Sequence, residues 1–135
     1  MAQPGTGRRE IRVVSLPEPI SHYTDAVVHD DLVFISGCLA TDAARNLVGG
    51  EDAVAQTRQV LANLAVVLAE VGAGYQDVLK VTVFLTDIED RTRINPVRQE
   101  FFGDARPAST LVEVSRLAVP GAKVEIEAIA CLPAR

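Results

Sequence analysis

Residues 79–86 read Leu-Lys-Val-Thr-Val-Phe-Leu-Thr, an alternation that puts Leu79, Val81, Val83 and Leu85 on one face of a β-strand. Upstream, Val54, Thr57, Leu61, Leu64, Leu68 and Val71 recur at spacings of three and four, with Gln56, Gln59, Asn63 and Glu70 away from that stripe. This is the pattern of an amphipathic helix. Gly49-Gly50 and the acidic pair Glu51-Asp52 precede it, suiting the positive end of a helix, and Gly72 and Gly74 stop it. The four strand residues should therefore meet the helix stripe.

Working outward, Ala26-Val27-Val28-His29 and Leu32-Val33-Phe34-Ile35-Ser36 are β-prone runs separated by Asp30-Asp31, which reads as a hairpin. Asp87 to Phe102 reads as helical turns, with Asn95 as a cap and Pro96 at the first helical position. Ser109–Leu117 and Lys123–Cys131 read as two further strands joined through Pro120-Gly121. The order is β-β-α-β-α-β-β, an α+β domain over residues 10–135, with residues 1–9 expected to form a flexible N-terminus.

The chain has 135 residues, enough for one domain; 48% are hydrophobic and 23% charged, the balance of an ordinary globule with a core. Thirteen Lys and Arg against eighteen Asp and Glu give a net charge of −5, the wrong sign for holding nucleic acid. The longest apolar run, Leu64 to Ala69, is six residues, against about 20 for a membrane-spanning helix. Arg8-Arg9 is followed by Arg12, Pro17, Glu18 and Pro19 rather than by an apolar export segment, so a cytoplasmic location is expected. Cys38 and Cys131 lack metal or redox spacing, His22 and His29 are the only histidines, and no phosphate-cradling glycine loop occurs, so neither a metal nor a nucleotide cofactor is expected.

Two helices on one side of a small sheet leave the other side uncovered. Thr82, Phe84, Ile129 and Cys131 fall there, too apolar a set for full exposure, and burial against copies of the same chain is the economical solution. Glu125 and Glu127, at i and i+2, share one side of their strand and on composition alone read as a solvated face. Likewise Tyr23 reads as packing over the core, and Arg91, Arg93 and Arg98 as a solvated or ion-paired helix face.

The stretch Arg106-Pro107-Ala108-Ser109-Thr110-Leu111-Val112-Glu113-Val114-Ser115-Arg116-Leu117, followed by Val124-Glu125-Ile126-Glu127-Ala128-Ile129-Ala130, resembles the signature of the RidA/YjgF family. Tyr23, Phe34-Ile35-Ser36-Gly37, Val81–Leu85, Ile94-Asn95 and Phe101-Phe102 extend the match over nearly the whole domain. The resemblance implies a chorismate-mutase-like fold with a mixed sheet, a homotrimer whose sheets line a central barrel, and small-molecule clefts between subunits. Family members with the complete motif hydrolyse reactive enamines and imines to a carbonyl compound and ammonia, with no cofactor. By the same resemblance Glu125 is the carboxylate that activates water, the main chain at Leu111 offers a carbonyl to that water, and Tyr23, Ser36, Gly37 and Asn95 line the cleft. The family's Pro-Ala-Arg is here Pro107-Ala108-Ser109, so the arginine that clamps a substrate carboxylate is replaced by a hydroxyl, and Arg106 is the nearby cation placed to stand in. This departure implies a substrate larger than 2-aminoacrylate, such as an aminomuconate-like species. The competing expectation is a non-catalytic metabolite-binding or regulatory trimer. Ribonuclease or translation-inhibitor activity ranks last, given the acidic balance and the lack of a histidine pair.

Overall fold

The helical periodicity is realised as α1 (Ala53–Glu70) in a computed structural model that describes residues 7–134. The Asp52 side chain caps it by accepting from the Val54 amide at 2.9 Å, and Gly72 (φ 75°) ends it. Its buried face is broader than the apolar stripe. Gln56 and Asn63, read from sequence as lying away from the core side, are both buried. Gln56 Nε2 donates to the carbonyls of Gly50 (2.6 Å) and Gly121 (3.0 Å), while its Oε1 accepts from the Lys123 amide at 2.8 Å. A buried amide is tolerable here because each polar end is satisfied, and it ties the helix start to the loop before the last strand.

Six strands form one mixed sheet: β1 (Arg9–Ile11), β2 (Ala26–His29), β3 (Leu32–Cys38), β4 (Val78–Leu85), β5 (Ala108–Glu113) and β6 (Val124–Cys131), in the order β1-β2-β3-β6-β4-β5. Only the β4–β5 pair is parallel, as the connection through α2 (Arg91–Phe102) requires. The β2–β3 hairpin turns at Asp30, held at φ 53°. Arg9, grouped from sequence with the N-terminal stretch, pairs with Val28 in β1, a strand of three residues that is too short to show alternation.

Three local readings differ from the structure. Leu79 does not join the core face: the register shifts between Val78 and Lys80, leaving Leu79 47% exposed and putting Val78 beside Val81, Val83 and Leu85 on the buried side. Asn95 and Pro96 do not start a helix, because a 3-10 turn at Ile88–Asp90 runs directly into α2 and both residues lie inside it. Finally, β5 and β6 are not a hairpin. Residues 114–123 carry the chain across so that β6 inserts between β3 and β4.

Both helices lie on one face. There α1 packs on β3 and β6, and α2 packs against α1. Leu61, Leu64, Leu68, Val83, Leu85, Ile94 and Val124 are fully buried between these layers. Tyr75 closes the end of the layer, with its ring edge-on to Phe101 at 6.0 Å and its hydroxyl donating to the Leu61 carbonyl at 2.5 Å. The opposite face presents Phe34, Thr82, Phe84, Glu125, Glu127 and Ile129, none of them buried.

Candidate active site

The site grows from the end of β3, where pairing with β6 becomes irregular between Ile35 and Cys38. Ser36 is spent on scaffolding, its amide donating to the Asp25 carbonyl (3.0 Å) and its hydroxyl to the Thr24 carbonyl (2.6 Å). Asp25 in turn accepts from Arg12 Nη1 at 2.5 Å and from the Val13 amide at 2.7 Å, which lashes residues 12–25 over the strand. Beside that lash is a cavity of about 190 Å³ lined by Tyr23, Ser36, Gly37 and Cys38, by the apolar Leu16, Leu39, Val67 and Val119, and by the polar Glu18, Asp25, Thr41, Arg45 and Asn63. Tyr23 is 46% exposed at its rim, so it does not pack over the core as composition suggested.

Gly37 borders this cavity and also lies directly against Glu125. A Cβ built on Gly37 would stand 2.7 Å from the Glu125 Cδ and 2.8 Å from its Oε2. Glycine is what allows the carboxylate to rest on the β3 backbone. Glu125 is half-buried on the sheet's open face, beside Glu127 as the i, i+2 spacing predicted. Burial, and secondly the Glu127 charge, raise its pKa above the ordinary glutamate value. A carboxyl so placed can both accept and return a proton nearer neutrality. The adjacent Cys38 thiol is pushed up to about 12 by burial and by the charges of Asp25 and Glu125, so it stays protonated and is no nucleophile.

Ser109 and Leu111 lie elsewhere, on β5 across β4 from Glu125, and Asn95 lies on α2. Ser109 and Leu111 register with Val81 and Val83, which places them on the helix side of edge strand β5. Asn95 and Leu111 share an open groove of about 720 Å³ along α2. Arg106 is exposed in the loop before β5. The guanidinium that reaches Ser109 is Arg98, whose Nη2 donates to Ser109 Oγ at 2.8 Å. From sequence Arg98 reads as part of a solvated or ion-paired helix face; the one signal of this contact is its position on the same side of α2 as Asn95, three residues earlier. Thus the residues singled out from sequence fall into two separate groups: Tyr23, Ser36 and Gly37, with Glu125 against Gly37, and Asn95, Ser109 and Leu111 around Arg98. Among the described residues no three His, Cys, Asp or Glu side chains gather as a metal would require, and no helix is long and apolar enough to cross a membrane.

The family model described as Endoribonuclease L-PSP matches residues 14–132. The chain belongs to the RidA/YjgF family. A 2-iminobutanoate/2-iminopropanoate deaminase from Capra hircus is 36% identical over 123 residues, covering 91% of this chain and 89% of that protein. The 3-aminoacrylate deaminase RutC of Acinetobacter baylyi is 38% identical over 114 residues, covering 84% and 90%. Among solved structures, E. coli TdcF with bound serine superposes with a TM-score of 0.83 at 31% identity, covering 91% of this chain and 98% of that one. Imine and enamine deaminases are thus established among the relatives of this RidA/YjgF member.

Proposed function

We propose that this protein is a cofactor-free enamine/imine deaminase that converts a C=N substrate and water to a carbonyl compound and ammonia. The observation that carries this reading is the half-buried Glu125 carboxyl, raised in pKa and seated against Gly37, a residue that also borders the cavity of about 190 Å³. In the proposed sequence Glu125 takes a proton from water as its oxygen bonds to the C=N carbon, and the substrate nitrogen gains a proton. The resulting carbinolamine then expels ammonia as the carbonyl forms, so that one water is consumed for each ammonia released. The Leu111 main-chain carbonyl helps hold the water, and Tyr23, Ser36 and Gly37 form the wall against which the substrate lies.

The two groups are complementary in content, and the reading joins them in a homotrimer, Glu125 of one copy facing Asn95, Ser109 and Leu111 of the next. The cavity bordered by Gly37, with Leu16, Leu39, Val67 and Val119 among its apolar lining and Arg45 and Asn63 among its polar lining, is the room for a substrate with a longer side chain than 2-aminoacrylate, an aminomuconate-like species included. The test is to generate 2-imino acids of graded side-chain length enzymatically in the presence of the protein and to follow loss of the imine. The reading expects acceleration that grows with chain length. No acceleration with any of them, aminated muconates included, contradicts it, and saturable binding without turnover would favour a metabolite-binding trimer.

A further inference from the structure

Two guanidinium groups are partly withdrawn from water among the described residues, those of Arg12 and Arg98. Arg12 has its counter-charges, Asp25 at 2.5 Å and Glu18 at 3.6 Å. Arg98 has no carboxylate within 4 Å among the described residues, although the chain is acidic overall, with a net charge of −5. Its one hydrogen bond is to the neutral Ser109 hydroxyl, which leaves four of a guanidinium's five N–H donors (about that number in any arginine) uncommitted. Partial burial lowers its pKa, and among the described residues no carboxylate stands beside it to raise it again.

The groove onto which Arg98 opens is suited to an anion. Arg91 and Arg98 line it against a single acid, Glu89, and Thr92 and Asn95 add a hydroxyl and an amide. Ile88 and Leu111 are its apolar lining residues. A planar guanidinium fixed at one corner by Ser109 presents its remaining donors as a fork, the geometry that a carboxylate fills with two parallel hydrogen bonds.

We propose that Arg98, held by Ser109, is the residue that binds the substrate's carboxylate, so that the charge absent from β5 is supplied from α2. The proposal rests on the deaminase reading for the identity of the ligand, and it assigns the ligand class as a 2-imino or 2-keto carboxylate. Arg106 then has no part in binding.

The experiment is calorimetric titration of the full-length protein with 2-oxobutanoate, the keto acid that hydrolysis of a four-carbon imine would release, and with its uncharged amide. Wild type should bind the acid and not the amide. Arg98→Gln should weaken binding of the acid roughly ten- to a hundredfold, the range for losing hydrogen bonds to a charged group. Arg98→Lys should recover part of that loss, because it restores charge without the fork, and Arg106→Gln should bind as wild type does. Circular dichroism and light scattering on each variant establish that fold and assembly are intact. Unchanged affinity in Arg98→Gln, equal binding of acid and amide, or loss of binding in Arg106→Gln overturns the assignment. So does a change in assembly mass in Arg98→Gln together with wild-type affinity in Arg98→Lys, which would make Arg98 the partner of a carboxylate from a neighbouring copy. Imine hydrolysis by the wild-type protein separates this proposal from the reading beneath it: if wild type hydrolyses no imine but Arg98-dependent binding persists, the binding site stands and the deaminase reading falls.

Discussion

The helix-facing side of the sheet carries Val28, Val33, Val81, Val83, Val124 and Ile126, each no more than 1% exposed, while the opposite side carries Phe34 at 44% together with Phe84, Ile129 and the half-buried Glu125. One side is closed by α1 and α2 within a single chain. The other holds apolar surface and an ionisable carboxyl on the same strands, where alternate residues of β6 point to opposite sides. The difference separates stability from chemistry. Substitutions on the closed side should act on folding, and substitutions on the open side should act on catalysis and assembly.

The largest effect on folding is expected from Leu64→Ala. Leu64 is fully buried beneath the sheet, so the variant should lose about 2–5 kcal/mol in denaturant melts. A loss as large from Phe34→Ala, measured at a concentration low enough to exclude assembly, would remove the distinction between the two sides. Next comes Gly37→Ala. The backbone there has no positive φ, and the obstacle to a methyl group is the flexible end of Glu125, so folding should change by less than about 1 kcal/mol. The displaced carboxylate should nevertheless cost roughly 100-fold in turnover, the usual scale for a catalytic group moved by an ångström. Wild-type turnover in this variant would show that the seat on Gly37 is unimportant.

Phe34→Ala should leave the isolated chain nearly as stable as wild type and lower the mass read by light scattering at micromolar concentration, since the proposed trimer covers this exposed ring. The smallest effect concerns pH. Glu125 has a raised pKa in the fold, so the folded chain holds that proton to higher pH than the unfolded chain does. Stability attributable to this group is therefore greatest when it is protonated and falls as pH rises from the ordinary glutamate value through the raised one. Glu125→Gln should melt slightly higher than wild type at neutral pH and equally at pH values below the ordinary glutamate range. A lower neutral-pH midpoint would contradict the burial argument.

The closed side was the more legible in sequence because its signals are local. The spacing of Leu61, Leu64 and Leu68, the alternation of Val81, Val83 and Leu85, and the Asp30-Asp31 turn each act within a few residues. Leu79 misled because a bulge resets the alternation without changing the residue pattern. The insertion of β6 between β3 and β4 is a long-range pairing, and the intervening Pro120-Gly121 suggested a hairpin instead. Gln56 looked solvent-facing because its partners, Gly121 and Lys123, lie far along the chain. On the open side, Glu125 was singled out by resemblance, whereas its contact with Gly37 and the approach of Arg98 to Ser109 depend on side chains brought together by the tertiary fold.

The central claim is that Glu125 moves the protons of imine hydrolysis, and the rate of ammonia release from a generated 2-imino acid, wild type against Glu125→Gln, addresses it most directly. With fold and assembly mass unchanged, the account predicts a fall of about 10²–10⁴-fold, the contribution of a positioned acid/base group. A variant that releases ammonia at the wild-type rate would contradict it.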